Sequence, residues 1–325
     1  MRLRNRSLTR WGAVAVAGVL AVGLVGCSSG DSGDGGDEHK LTLQGTEVTL
    51  PSNPQRIISV HNAGTQALIE VGAGDRLVAA ATMDTPMVPP ANREAYAKIK
   101  NKIDGTAPAE TLTQYDPDLI VTIDAGDPGA NKDLAALAPT AIMKIRGTER
   151  TDWEGRTKSA AAILGTTDKF DALQEKLKRR QISIKTTYAD VLTKVKVTVL
   201  DSHEPGEIYV AGTKSMIGDL FGQAGVVFAD SVTGDGTAPD TNPGEFTASP
   251  EKLGQFLDAD AIFVASDFDG GHNALQRQLL NNPLLKSSKK PVFGLGTVTI
   301  SSFAQADYML DQLEKALSEL QGTQR

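Results

Sequence analysis

The sequence predicts an α/β protein with two lobes, each a mainly parallel central sheet flanked by helices, joined by one long backbone helix. Short apolar runs alternate with helical patterns in both halves of the chain, which is typical of parallel sheets covered by helices. Between the halves, the segment from Trp153 to Lys194 contains no strand pattern and no proline. The 325 residues, 40% hydrophobic and 22% charged, suffice for two globular domains of about 150 residues each.

The N-terminus has the organisation of an export signal. Four arginines precede Trp11–Val25, an apolar stretch of fifteen residues. It is shorter than the roughly 20 residues of a membrane-spanning helix and matches the core of a secretory signal. It ends in Leu24-Val25-Gly26-Cys27, which resembles the lipobox at which bacterial lipoproteins are cleaved and lipidated. Cys27 is the only cysteine and the predicted lipidation site; the alternative is an ordinary signal peptide with an incidental cysteine.

Charge and composition help to distinguish the regions of the chain. The formal net charge is -7, and removing residues 1–27, which hold four arginines and no acids, leaves -11. Such a surface disfavours nucleic acid and offers no broad basic patch for anionic lipid. Residues 28–40 are small and acidic, which predicts a flexible tether. The sequence therefore predicts five regions: signal peptide 1–27, tether 28–40, N-terminal lobe 41–151, linker helix 152–194 and C-terminal lobe 195–325.

Eight strands are predicted, four in each lobe, with helical patterns such as Thr65–Val71 and Lys132–Ala138 between them. The first four are Ile57–Val60, Leu77–Ala81, Asp118–Ile123 and Ala141–Ile145. The second four are Val195–Leu200, Ile208–Val210, Ala261–Ala265 and Val292–Leu295.

The linker segment has one continuous apolar face at helical spacing, with an interruption indicated at Gly165–Thr167. Five basic residues crowd its middle, between Lys176 and Lys185. In an acidic exported protein this basic run predicts the solvated face of a helix rather than a nucleic-acid site.

One pattern occurs once in each lobe. The segments Glu110–Asp118 and Glu251–Asp260 each open with an acid in a short predicted helix, pass through a D-x-D turn and enter a buried strand. The second copy has one extra residue. This pair of segments favours two lobes of similar architecture.

With these features, the chain resembles the iron-siderophore and cobalamin substrate-binding proteins of ABC importers, whose two lobes are joined by one rigid helix. The resemblance covers about Pro54–Leu317 and depends on the order and spacing of several motifs. They are Pro54-Gln-Arg-Ile-Ile-Ser-Val, Ala67-Leu-Ile-Glu-Val-Gly-Ala-Gly-Asp-Arg, Tyr115-Asp-Pro-Asp-Leu-Ile-Val, Trp153 with Ile163-Leu-Gly, Ile217-Gly-Asp-Leu-Phe-Gly-Gln-Ala-Gly and Ser249-Pro-Glu-Lys-Leu. Asn281-Asn-Pro-Leu-Leu-Lys departs from the family pattern, which has a tryptophan after the proline.

The resemblance implies a monomeric binding protein, lipid-anchored at Cys27 on the extracytoplasmic face of the cell membrane. It would deliver a ferric siderophore, a small-molecule iron chelate, to the permease subunits of an ABC importer, without a cofactor of its own. It also implies that Glu110 and Glu251 dock onto the permease, as one glutamate at the tip of each lobe. From the residues alone, each acid stabilises the first turn of its helix by about 0.3–1 kcal/mol, and the two roles are compatible.

The loops that follow the strands are the candidate ligand site, because ligands bind at the carboxyl ends of strands in open α/β sheets. Chelate oxygens favour arginine donors, and the organic shell favours flat aromatic surface. The predicted ligand-binding residues are Arg146, Arg150, Trp153, Tyr209, Lys214, His61 and Met83.

Four of these residues have a simpler interpretation. The two arginines could pair with Glu149 and Asp152 at the surface, for about 0–1 kcal/mol. Trp153 could anchor the linker helix in the core, and Tyr209 could point to either side of its strand. Lys214 stands where siderophore binders often carry an arginine in a Ser-Arg pair.

Other cargoes and an enzyme are the alternatives. His61, His203 and His272 all follow predicted strands, but without metal-ligand spacing, so no metal site is predicted. Cobalamin, haem or a metal ion stays open as the cargo. The chain has no G-x-S-x-G, Walker or G-x-G-x-x-G motif, so it is not predicted to be an enzyme; a hydrolase or a non-transport surface lipoprotein is the remaining alternative.

Overall fold

A β-hairpin opens the folded part of the chain. The computed structural model describes residues 38–124, 128–145, 150–238 and 243–323; the predicted signal peptide, Cys27 and most of the tether lie outside them. Strands β1 (Glu38–Leu43) and β2 (Thr46–Pro51) pair antiparallel, so β1 begins three residues inside the predicted tether 28–40. Alternating apolar residues explain the hairpin, since Leu43 and Leu50 are buried in the core.

The first lobe contains a five-stranded parallel sheet in the order β5-β4-β3-β6-β7. Its strands are β3 (Ile57–Ser59), β4 (Leu77–Ala81), β5 (Asn101–Ile103), β6 (Leu119–Ile123) and β7 (Thr140–Met143). Its helices are α1 (Asn62–Glu70), α2 (Pro90–Lys98) and α3 (Pro128–Leu137), with 3-10 helices at Gly74–Arg76, Thr85–Met87 and Ala109–Tyr115. The four predicted strands are all present. The edge strand β5 was not predicted because it has a single apolar residue.

Helix α1 lies close against this sheet because its third residue is glycine. A Cβ atom at Gly64 would lie 3.0 Å from both the Ser59 hydroxyl and a Val121 methyl group. The close approach holds the amino end of α1 directly beyond the end of β3. The glycine in the first turn of α1 therefore helps to determine the position of His61, the residue that caps this helix.

The second lobe contains a six-stranded mixed sheet. Its strands are β8 (Lys196–Asp201), β9 (Ile208–Ala211), β10 (Val227–Phe228), β11 (Glu245–Ala248), β12 (Ala261–Val264) and β13 (Val292–Gly294). The order is β11-β9-β8-β12-β13, with β10 also paired to β8. Strands β10, β8, β12 and β13 pair parallel, whereas β9 pairs antiparallel with both β8 and β11.

The helices of this lobe complete the α/β fold class that the sequence predicts. They are α7 (Met216–Gln223), α8 (Ala274–Leu280), α9 (Pro283–Ser288) and α10 (Phe303–Thr323), with 3-10 helices at Asp230–Val232 and Pro250–Phe256. In the part of the chain that the structure describes, no helix is both long and apolar enough to cross a membrane.

The segment that joins the two sheets is helical nearly throughout and is divided into three helices: α4 (Trp153–Leu164), α5 (Thr167–Thr187) and α6 (Ala189–Leu192). Gly165 ends α4 in a left-handed conformation, φ 66°, which accounts for the interruption indicated by the sequence. The predicted long helix corresponds to α5, which has 21 residues.

The basic run on α5 has two environments. Lys178 and Arg179 are exposed, as a solvated face requires. Arg180, only 18% exposed, instead forms ion pairs with Asp307, Asp311 and Glu314 on α10. The joining segment is therefore fixed to the last helix of the second lobe by charge as well as by apolar packing.

Candidate functional site

A cavity of about 650 Å³ lies where loops of both lobes meet. The loops that line it follow β3, β4 and β7 in the first sheet and β8, β12 and β13 in the second. Residues at the start of α4 and α7 complete the wall. The cavity therefore lies at the carboxyl ends of strands from both sheets, the position expected for a ligand site in this fold class.

His61 and Met83, in the loops after β3 and β4 where the sequence predicts ligand-site residues, line the cavity on the side of the first lobe. The Nδ1 atom of His61 accepts a hydrogen bond from the Ala63 amide at 3.1 Å, which caps α1. Burial, with a smaller contribution from the charge of Arg156, lowers the pKa of His61 to about 4. The ring is therefore neutral at pH 7, with its proton on Nε2.

Met83 is held by a chain of polar contacts. Gln66 donates to its sulfur at 3.5 Å, and Asn92 donates to the Gln66 side-chain oxygen at 2.6 Å. The Tyr96 hydroxyl accepts from the Met83 amide at 2.7 Å. These bonds place a polarisable thioether in the wall, which suits the contact of an organic shell.

Arg150 bridges the lobes. Its Nη2 lies 3.2 Å from Oε1 of Glu245 at the start of β11, and the side chains are only 20% and 12% exposed. Its Nε is buried and has no hydrogen-bond partner among the described residues. Arg150 thus lines the cavity as predicted for its loop, with its charge already matched by a carboxylate.

Arg156 was not predicted, yet it is the most deeply buried cation of the wall, at 2% exposure. Its Nη2 donates to the Ile300 carbonyl at 2.9 Å, while Nη1 makes two long contacts of 3.4 Å to carbonyls. In the described part of the chain it has no ion-pair partner, and its Nε has no hydrogen-bond partner. Burial lowers its pKa to about 10, so it stays charged at pH 7.

Asp201 and His203 form the wall of the second lobe at the end of β8. The buried Asp201 carboxylate accepts from the Ser202 amide at 2.8 Å and from Gln276 Nε2 at 2.9 Å, and contacts His203 Nδ1 at 3.2 Å. The contact with Asp201 raises the pKa of His203. The imidazole stacks on Tyr209, with 3.9 Å between ring centroids, so Tyr209 supports the wall from behind.

The loop after β12 reaches across to the first lobe. The Asp267 carboxylate accepts from the Asp269 and Gly271 amides at 2.9 and 2.7 Å. The Phe268 amide donates to the Pro86 carbonyl at 2.8 Å, and Asp269 pairs with Arg93 at 2.8 Å. These contacts close one side of the cavity with residues of both lobes.

Two other predicted residues lie away from the cavity wall, and one lies outside the described residues. Trp153 is 2% exposed and packs edge-on against Phe303, at 5.0 Å between ring centroids. Lys214 is exposed and pairs with Asp235. Arg146 lies outside the described residues. The structure thus places the tryptophan in the core and the lysine at the surface.

The histidines meet, but not as metal ligands. His61, His203 and His272 all line the cavity. Among the residues that the structure describes, no group of three or more histidine, cysteine or acidic side chains could hold a metal ion.

Glu110 and Glu251 occupy matching positions at the other ends of the sheets. Each lies in the first turn of a seven-residue 3-10 helix, directly before β6 or β12. Both glutamates are exposed, and the leucine two positions later, Leu112 or Leu253, is buried in each case. The repeat found in the sequence is therefore a structural repeat that presents one carboxylate per lobe.

A family model matches the chain, and several solved structures share its fold. A family model described as periplasmic binding protein matches residues 57–289. A comparison with curated proteins finds no match.

Three solved structures illustrate the likeness. The siderophore periplasmic binding protein from the fuscachelin gene cluster of Thermobifida fusca is 22% identical, with a TM-score of 0.68, covering 83% of this chain and 98% of that one. The iron-uptake ABC transporter substrate-binding protein PiuA from Streptococcus pneumoniae is 19% identical, with a TM-score of 0.65, covering 87% and 100%. FhuD2 from Staphylococcus aureus with bound ferrioxamine B is 18% identical, with a TM-score of 0.61, covering 82% and 99%. At these identities the likeness establishes a shared fold.

Proposed function

Because the chain belongs to the periplasmic binding protein family, we propose that it binds a ferric siderophore and delivers it to the permease of an ABC importer. The observation that carries this proposal is the cavity of about 650 Å³ at the carboxyl ends of strands from both sheets. Its wall combines thioether and aliphatic surface with charged and polar side chains. That combination suits a compact chelate with an organic shell and exposed oxygen atoms.

The structural neighbours support the same cargo class. Their titles describe a siderophore binding protein, an iron-uptake substrate-binding protein and a complex with ferrioxamine B. In this chain, His61, Met83, Arg150 and Arg156 are the residues that we assign to cargo contact from the first lobe and α4. Tyr209 acts behind His203, and Trp153 and Lys214 have no direct contact in this proposal.

Delivery to the permease would use the opposite ends of the sheets. Glu110 and Glu251 are exposed and precede β6 and β12, the strands next to the centre of their respective sheets. Two exposed carboxylates, one per lobe, are a suitable pattern for pairing with arginines of a symmetric partner. The cargo site and the docking surface would then be separate, so that a loaded protein can dock.

The export signal and Cys27 complete the proposal. A lipid on Cys27 would hold a monomeric protein at the extracytoplasmic face of the membrane, and residues 28–37 would act as its tether. The absence of catalytic motifs from the sequence agrees with a binding protein rather than an enzyme.

The test is a calorimetric titration of the purified protein with ferric hydroxamates, ferric catecholates, cobalamin, haem and ferric ion alone. We expect saturable one-to-one binding of a ferric siderophore. The variant Thr299→Trp, which fills the cavity from an exposed wall position, should abolish that binding. Thr111→Trp, at an exposed position in the docking helix, is the matched control and should leave it intact. Binding of cobalamin or haem alone, or siderophore binding that survives Thr299→Trp, would contradict the proposal.

A further inference from the structure

The charged side chains of the cavity wall nearly cancel. Among the described residues the wall contains three aspartates, Asp84, Asp201 and Asp267, against two arginines, Arg150 and Arg156. With the histidines neutral, the formal charge of the wall is -1. The described part of the wall is therefore not basic.

Most of these charges already have partners. Glu245 lies 3.2 Å from Arg150. The Asp201 and Asp267 carboxylates accept hydrogen bonds from backbone amides of their own loops. Arg156 differs, because in the described part of the chain no carboxylate pairs with its buried guanidinium. The positive charge of Arg156 is thus met only by carbonyl oxygens among the described residues, and its Nε has no hydrogen-bond partner there.

Of His61 and His203, only His203 could change this balance, since a proton on it would bring the sum from -1 to zero. His61 stays neutral because burial lowers its pKa to about 4. A proton on His203 would be matched by Asp201, the group that raises its pKa. The negative charges of Glu204 and Glu245 also raise the pKa of His203. Protonation of His203 therefore strengthens a local pair rather than creating a free positive charge.

The charge balance of the wall limits which ligands can bind in the cavity. An ion that leaves water loses its hydration, and inside a protein it needs opposite charges and hydrogen-bond donors in return. A ferric tris-catecholate is triply negative, and one unpaired arginine cannot compensate it. A ferric trishydroxamate is neutral or singly charged, and its iron-bound oxygens are good acceptors for a guanidinium.

We propose that Arg156 is the cation of the cavity wall that binds the cargo, and that the cargo is a ferric trishydroxamate rather than a ferric tris-catecholate. The net charge of this cargo is close to zero. This inference rests on the proposed function, since it names the class of siderophore. It assigns to Arg156 one hydrogen-bonded contact with a chelate oxygen.

The first test needs only the unmodified protein. Calorimetry at fixed ionic strength compares one linear trishydroxamate scaffold with its terminal amine free, acetylated or succinylated, which makes the ferric complex singly positive, neutral or singly negative. We expect affinities within about tenfold of one another, and a ferric tris-catecholate at least about 100-fold weaker. Equal or tighter binding of the tris-catecholate would overturn the inference while the proposed function stands. No binding of any ferric siderophore would instead refute the proposed function.

Two substitutions then test the charge balance from opposite sides. Asp84→Asn removes a negative charge from an exposed wall residue whose side chain caps no helix, and should strengthen tris-catecholate binding several-fold relative to binding of the neutral trishydroxamate. Asp75→Asn, exposed and outside the wall, is the control. Arg156→Met should weaken neutral trishydroxamate binding by about 10- to 100-fold, with Arg156→Lys intermediate.

Thermal unfolding of the Arg156 variants shows whether they fold. Unchanged affinity in folded Arg156→Met, or no gain in Asp84→Asn, would count against the inference. Since Asp84 is at the surface, its result stands even if Arg156→Met does not fold.

Discussion

The two sheets are alike at the amino ends of their central strands and differ at the carboxyl ends. Three neighbouring parallel strands, β3-β6-β7 in the first sheet, correspond to β8-β12-β13 in the second. In each, a 3-10 helix with a glutamate in its first turn leads into the middle strand. An aspartate before that strand, Asp118 or Asp260, accepts a hydrogen bond from the start of the neighbouring strand.

At the carboxyl ends the connections diverge. Strand β3 leads into α1 and the parallel strand β4, which places the helix cap His61 at the cavity. Strand β8 instead returns directly as the antiparallel strand β9, which places Asp201 and His203 there. We infer that the similar amino ends of the strands serve docking, which needs the same contact twice. The dissimilar carboxyl ends bind one asymmetric cargo.

The largest expected effect separates these two ends of the molecule. The double substitution Glu110→Gln and Glu251→Gln should lower siderophore uptake by cells roughly 100-fold, because each lost ion pair worth about 1.4 kcal/mol is a factor of ten. Cargo affinity of the purified variant, measured by calorimetry, should stay unchanged.

The control removes the same charge elsewhere. Glu47→Gln together with Glu319→Gln, both exposed positions, should leave uptake at the wild-type level. Normal uptake by the Glu110 and Glu251 variant, or weakened cargo binding, would show that the amino ends of the sheets do not have a separate docking role.

The second prediction concerns the cavity histidines, whose pKa values shift in opposite directions. The pKa of His61 falls from 6.5 to about 4, so the unfolded state binds more protons between these values. The stabilising contribution of neutral His61 is complete above pH 6.5 and is lost as the pH falls towards 4. Between pH 7 and 5 the wild type should lose about 2 kcal/mol more unfolding free energy than His61→Asn, which keeps a helix cap.

Urea unfolding at the two pH values measures this difference. His203→Gln should not remove it, because the raised pKa of His203 contributes stability that is present at low pH and is lost as the pH rises. Equal pH dependence of the unfolding free energy in wild type and His61→Asn would show that the His61 ring is less buried than the structure indicates.

The smallest effect tests how closely the amino ends correspond. Asp118 uses both carboxylate oxygens, accepting from the Gln55 amide at 2.6 Å and the Arg56 amide at 2.9 Å. Asp260 uses one oxygen, towards the Lys196 amide at 2.8 Å. Asp118→Asn should therefore cost about 1–2 kcal/mol of unfolding free energy, while Asp260→Asn, whose amide can turn to keep its single bond, should cost under about 0.5 kcal/mol.

Denaturant unfolding provides the comparison. Asp116→Asn is the control, because Asp116 is exposed and asparagine tolerates its left-handed conformation, φ 45°. If the two aspartate variants lose equal stability, the lobes are more alike at these ends than their hydrogen bonds indicate.

Apolar patterning predicted the fold because buried strands leave a local record in the sequence. All eight predicted strands occur, as does the paired element around Glu110 and Glu251. Five other strands among the described residues were not predicted: β1, β2, β5, β10 and β11. Among them, β5 has a single apolar residue and β10 has only two residues. Strand β11, for example, is placed by pairing with β9, which no local pattern records.

The cavity wall was only partly predictable. His61 and Met83 follow strands and were found by that rule. Arg156 was missed because it lies inside a helix, although its place on the face shared by Trp153, Ala160 and Ile163 was a readable signal of burial. Lys214 looked like a ligand from its motif, but an ion pair with Asp235 across 21 positions of sequence determines where it lies.

The most direct test of the account is the position of the iron atom. Crystals of the protein grown with a saturating ferric trishydroxamate should give one anomalous difference peak at the iron absorption edge. We predict that this peak lies in the cavity, between Arg156 and the loop after β12. A peak elsewhere on the molecule, or no peak although the chelate binds in solution, would contradict the assignment of the cargo site to the meeting point of the two sheets.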